Sequence, residues 1–359
     1  MSTQTEPKKP LNEFEAGLDK ADKAVASFAQ DDKTLTHVLR KFLRDYPTTI
    51  PALVLIMSVL FFGAFANNFM TPGTLSLVLK QVTVTGIVAV AQTLIILTAG
   101  IDLSVGAILV LSSIIMGKLS VDLGLPPFLA ISIGLFFGGL MGWFNGILVT
   151  VIKLPPFIVT LGTLSIFTAL KLWYSASQSI RGSDIRETAP SLLFFGERIS
   201  FGGFQITYGV VALLVLAGLV YYMLNHTAWG RHVMAIGDDP DAAMLSGIRI
   251  NRTLVSVYAF AGLICAFGGW AAAGRVGSIS PIGFDDVNLQ SITAVVIGGT
   301  SLFGGRGSVI GSVLGAIIVG VFTTGLSLGG VDDYWQQFAA GCLVLVAVAL
   351  DQWLRRATK

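Results

Sequence analysis

The chain has 359 residues, of which 53% are hydrophobic and only 12% charged, with a formal net charge of +2. Soluble domains carry about 25% charged residues, so a water-soluble globular fold is excluded. Several apolar runs exceed the roughly 18 residues that mark a spanning helix, which makes the expected fold class an all-α polytopic membrane protein. Cys265 and Cys342 lie within apolar runs and read as small buried hydrophobes rather than a disulfide or metal pair.

Residues 1–45 are polar. Within them Leu11, Phe14, Leu18, Ala21, Val25 and Phe28 recur at three- and four-residue spacing with charges between them. That period fits an amphipathic arm lying on a membrane face or a partner, and a disordered arm is the alternative. The first apolar run starts near Ile50, behind this arm, and no cleavable leader pattern precedes it. Residues 46–356 then form one transmembrane domain. About ten spanning helices are expected, at 50–66, 77–98, 103–120, 127–151, 156–174, 207–224, 254–273, 288–303, 308–326 and 335–354.

Lysine and arginine placement puts both termini in the cytoplasm. On that topology 16 of the 23 basic residues fall on the inner side, eight of them in 1–49. Without the arm the tally is nearly even, so the orientation rests on the arm and on the short basic ends. Residues 177–206 are the longest outward connection, too long for a plain turn and expected to carry structure of their own as a periplasmic shelf.

Four glycines of the fourth span, Gly134, Gly138, Gly142 and Gly146, stand one every fourth residue. Gly307, Gly311 and Gly315 repeat the spacing in the ninth. Small residues so placed let membrane helices approach backbone to backbone. A weak internal echo links Gly100-Ile101-Asp102-Leu103 with Gly299-Thr300-Ser301-Leu302, each closing one apolar run and opening another.

Between two long apolar segments lies the polar island 230–248, GRHVMAIGDDPDAAMLSGI, within the wider region 228–252. Asp239 as N-cap, Pro240 at the first helical position and Gly247 past the end spell a short cytoplasmic helix of about two turns. A helix that short is marginal alone, so something should hold it. A connecting loop and a docking knob for a partner both fit.

No engine is present. The only Gly-Lys pair, Gly117-Lys118, lacks the upstream glycine of a phosphate-binding loop. His37, His226 and His232 have no metal spacing, and no nucleophile motif occurs. The chain is not expected to be an enzyme or to hold a cofactor or metal. Buried polar candidates for a path through the membrane are Gln92, Thr98, Asp102, Asn145, Thr160 and Thr163. Two readings stand for Asp102, an N-cap of the third span and a pathway residue. Two also stand for Asn145, a pathway residue and an interhelical hydrogen bond.

The island resembles the cytoplasmic coupling region of bacterial ABC importer permeases for simple sugars, the ribose/xylose/fructose type. Residues 99–106 (AGIDLSVG), 155–163 (PPFIVTLGT) and 298–311 (GGTSLFGGRGSVIG) resemble further motifs of that family, in the same order. The family commonly has Asn where this chain has Asp239, and both cap a helix well. The resemblance implies a permease subunit of an ATP-driven monosaccharide importer in the bacterial inner membrane. Its implied partners are a cytoplasmic ABC ATPase carrying ATP and Mg, a periplasmic sugar-binding protein and a second permease copy, here expected to be identical. No nucleic acid partner is expected. Coupling to the ATPase would fall to Gly230, Arg231, Ala235, Gly237, Asp239, Pro240, Ala242, Ala243, Ser246 and Gly247. Fructose, ribose and xylose all remain open as cargo, with a lean toward fructose. The rival is a carrier or facilitator for a small polar solute that needs no motor.

Overall fold

A computed structural model describes residues 48–358, and the amphipathic arm expected over 1–45 lies outside them. The described chain is helical apart from one small hairpin. In order it forms α1 (Thr49–Phe65), α2 (Pro72–Leu97), α3 (Val105–Val121), α4 (Pro127–Thr150) and α5 (Pro156–Ser175). The shelf follows, with α6 (Gly182–Thr188), a 3-10 turn (Pro190–Gly196), β1 (Arg198–Phe201) and β2 (Phe204–Thr207). Then come α7 (Tyr208–His226), α8 (Ala228–Asp238), α9 (Pro240–Leu245), α10 (Ile250–Val276), α11 (Val287–Ile297), α12 (Val309–Leu328) and α13 (Asp333–Thr358).

Six of these helices are long and apolar enough to cross a membrane, and α1, α3 and α11 are shorter apolar helices. Local chemistry explains several starts. Thr71 caps α2 through the Thr74 amide, with Pro72 behind it, and Pro127 and Pro156 open α4 and α5. The shelf has structure of its own: β1 and β2 pair antiparallel, Arg198 opposite Thr207, around the turn Gly202-Gly203, where both glycines have positive φ.

At the centre stands α2, buried along nearly its whole second half and walled by α10, α12 and α11. The most extensive helix–helix contact is between α4 and α10. A Cβ at Gly142 would overlap the Tyr258 carbonyl, so the glycine row of α4 lets the two backbones touch. Cys265 is buried in α10, whereas Cys342 is exposed on α13, against the expectation that both would be buried. The apolar run around Cys342 gave no sign of which helix face it occupies.

The span expected at 288–303 is different in kind. Its helix, α11, stops at Ile297, and 298–308 is non-helical. Gly299, Gly304 and Gly305 adopt φ of 84°, 83° and 73°, which no helix can continue. An 11-residue helix rises only about 16 Å, half a bilayer core, so any crossing here must be completed by irregular backbone.

Candidate functional site

Two helices end alike near one point. At the end of α2, Gly100 N–H donates to Ile95 O at 3.1 Å and Ala99 N–H to Ile96 O at 2.9 Å. At the end of α11, Thr300 N–H donates to Val295 O at 3.1 Å and Gly299 N–H to Val296 O at 2.9 Å. Ala99 (φ 59°) and Gly299 (φ 84°) supply the left-handed residue this helix stop requires. Each stop is followed by a side chain bonding the backbone two residues on. Ser104 N–H donates to Asp102 Oδ1 at 2.7 Å, and Phe303 N–H donates to Ser301 Oγ at 3.2 Å. The four-residue echo in the sequence is thus a repeated turn. The two turns are joined directly, since Gly305 N–H donates to Leu97 O at 3.0 Å.

Four of the polar candidates converge on the first turn. Asp102 is 2% exposed and also accepts from Ser104 Oγ at 2.6 Å. Asn145 of α4 donates to Ser104 Oγ at 2.8 Å and to Asp102 Oδ2 at 3.4 Å. Gln92 of α2 donates to the Asp102 carbonyl at 3.1 Å, and Thr160 of α5 donates to the Ile101 carbonyl at 3.1 Å. Three helices therefore brace the non-helical stretch 98–104. The helix α3 begins at Val105 with Ser104 as its N-cap, so Asp102 holds the turn before the helix and does not itself occupy the cap position. Thr98 opens this stretch and Thr163 stands apart from it, their hydroxyls turned back onto the Ile95 and Thr160 carbonyls.

Sequence reasoning missed Tyr258. Its hydroxyl is buried among the same residues with no hydrogen-bond partner among the described residues, and a Cβ at Gly100 would meet it at 2.8 Å. The side-chain oxygens of Gln92 and Asn145 are likewise buried and unpaired. The available signal was a tyrosine in the middle of an apolar helix.

The island forms two helices where the sequence suggested one. Thr227 caps α8 through the Gly230 amide at 3.2 Å, and Val233 and Ile236 are buried on one face. Asp239 Oδ1 accepts from Asp241 N–H at 2.9 Å and Ala242 N–H at 3.0 Å, with Pro240 opening α9. Gly247 (φ 81°) ends α9, where Ile248 N–H donates to Ala243 O at 3.1 Å. Arg231, Asp239, Pro240, Ala242, Ser246 and Gly247 are exposed, Ala235 is half-buried, and Gly230, Gly237 and Ala243 are buried. Met244 and Leu245, also missed, are 58% and 86% exposed.

Gly237 ties the island to the turns. A Cβ there would overlap the Leu97 carbonyl and lie 2.6 Å from the Gly305 amide, the two atoms that join the turns. The end of α8 is therefore seated on that junction with no side chain between.

A family model described as the permease component of the branched-chain amino acid transport system matches residues 74–348. The chain belongs to this permease family. It is 51% identical to the fructose import permease of Rhizobium meliloti, covering 97% of each chain. It is 38% identical to the ribose import permease of Bacillus subtilis over 84% of this chain and 92% of that one. The D-allose transport permease of Escherichia coli is 33% identical over 84% and 91%. No solved structure matches.

Proposed function

We propose that the protein is the permease subunit of an ATP-driven importer for a monosaccharide, and that fructose is the cargo. The supporting likeness is to the Rhizobium meliloti fructose permease, whose identity of 51% runs over nearly the full chain. The partners in this reading are a cytoplasmic ABC ATPase, a periplasmic sugar-binding protein and a second, identical permease. Both termini lie in the cytoplasm, the shelf over 177–206 faces outward, and ten segments cross the inner membrane. The crossing of α11 is completed by 298–308, in which Gly298, Thr300, Ser301 and Gly304 are buried and Gly299, Phe303 and Arg306 are exposed.

One observation carries the coupling mechanism: α8 ends on the junction of the two turns at Gly237, while α9 offers Met244 and Leu245 outward. Exposed apolar side chains on a polar island suit a protein partner's groove. ATP-driven closure of the motor would push α9 and α8 as one body. That push reaches Leu97 and Gly305 by direct backbone contact and so acts on both turns at once, a rigid-body switch of access from outside to inside. In this reading Gln92, Asp102, Asn145 and Thr160 brace the moving turn, and Thr98 and Thr163 border it.

The test is the intact complex, purified and supplied with a sugar panel through its binding protein. Fructose should give the largest stimulation of ATPase activity. Stimulation by ribose or xylose but not fructose would end the cargo assignment and leave the importer reading standing.

A further inference from the structure

Away from the turns, the C-terminal half of α5 faces the start of α3 and the corner 284–288 across a cavity of about 540 Å³. That volume lies within the roughly 300–1,000 Å³ of small-molecule sites. Lys171 Nζ and Asp285 Oδ1 lie 3.2 Å apart and tie the α5 wall to the corner. Their charges cancel, and the remaining lining is uncharged. Two polar groups are free to receive a solute. The Asn288 carboxamide oxygen accepts from Gly106 N–H at 2.8 Å, and its NH₂ has no partner among the described residues, in a residue only 8% exposed. The Thr168 hydroxyl, in the same lining, has no hydrogen-bond partner among the described residues. Ser165, one turn earlier on α5, donates its hydroxyl to Leu161 O at 3.4 Å and adds an acceptor oxygen.

We propose that this cavity is a passage site that takes an uncharged, polyhydroxylated solute of monosaccharide size through Thr168, Ser165 and Asn288. The proposal rests on the importer reading but concerns residues that the coupling mechanism does not use. A neutral sugar needs donors and acceptors of modest strength, so that binding is transient, and a site with no net charge supplies them. None of the polar residues singled out from sequence alone lines it.

The experiment uses the complete importer in proteoliposomes, in a Cys342→Ser background, where the remaining Cys265 is buried. Thr168→Cys is exposed on both membrane sides to a charged methanethiosulfonate. Modification is expected, with saturating sugar-loaded binding protein slowing it. Uptake should fall about tenfold or more afterwards, because the adduct fills the space a solute would occupy. Ile166→Cys, about 200° round the helix, should keep its uptake under the same treatment. No modification of Thr168→Cys, modification without loss of uptake, or equal loss at Ile166→Cys would each overturn the proposal. Ser165→Cys carries the same test should Thr168→Cys fail to insert. An unmodified complex that moves no sugar would overturn the importer reading and this proposal with it, and is told apart by being measured before reagent is added.

Discussion

At the level of single residues the structure turns on a buried carboxylate that does not face open space. Asp102 accepts two hydrogen bonds from Ser104, within the turn that separates α2 from α3, and one from Asn145 of α4. Hydrogen bonds to a charged group are worth about 1.5–3 kcal/mol each, and an orphaned buried donor costs as much again. Asp102→Leu should therefore lose membrane level and thermal stability together. Asp102→Asn keeps an oxygen for the Ser104 amide and should insert normally with a modest fall in melting temperature. Equal loss in both variants, read by quantitative blotting and thermal melts of the detergent-purified protein, would remove the bracing role. Asn145→Leu removes the donor to the Ser104 hydroxyl and to Asp102 Oδ2 while the Ser104–Asp102 bonds remain, so it should lower stability before it lowers uptake per folded molecule. Sequence made Asp102 and Asn145 conspicuous because polar side chains are costly in apolar runs. It did not reveal that they are partners, since 43 residues separate them and it is the packing of α4 on α3 that brings them together.

Among elements, legibility followed locality. The cap and stop of α9 were readable because Asp239, Pro240 and Gly247 act within one turn of where they stand. The early end of α11 was not, because Leu302 and Phe303 extend the apolar run while positive φ at Gly299, Gly304 and Gly305 has already ended the helix. The helix α8 was hidden by the island's polarity, although its Thr227 cap was present in the sequence. The contact that gives α8 its importance is a backbone approach at Gly237, for which no side chain speaks. Two glycine variants separate contact from conformation. Gly237→Ala would drive a methyl into the Leu97 carbonyl and should abolish sugar-stimulated transport, at a cost of about 1–3 kcal/mol in packing. Gly247 has φ of 81° with open space around it, so Gly247→Ala meets only backbone strain of about 1–2 kcal/mol and should keep most transport. Comparable transport in the two variants, at matched membrane levels, would contradict the view that α8 pushes through its end.

For the whole molecule the open question is where force comes from. Six long apolar helices and three shorter ones among the described residues, close-packed glycines and two matched turns suit a motor-free carrier as well as an importer subunit, because both need a bistable helical body. What separates them is the exterior. A carrier has no use for a pair of short helices that present Met244 and Leu245 on one side and rest on the junction of the two turns on the other. Such helices make sense only if another polypeptide displaces them, since a ligand or partner shifts an equilibrium only by binding its two states differently. The permease reconstituted alone should therefore show no sugar flux above protein-free vesicles, with or without a gradient. Adding the ATPase, the binding protein and ATP should start uptake. Leu245→Asp, which places a charge on the most exposed apolar residue of α9, should weaken ATPase recovery in a pull-down and reduce uptake in parallel. Sugar flux through the lone permease, or uptake by the Leu245→Asp complex at the unmodified rate, would point to a pathway that opens without being driven.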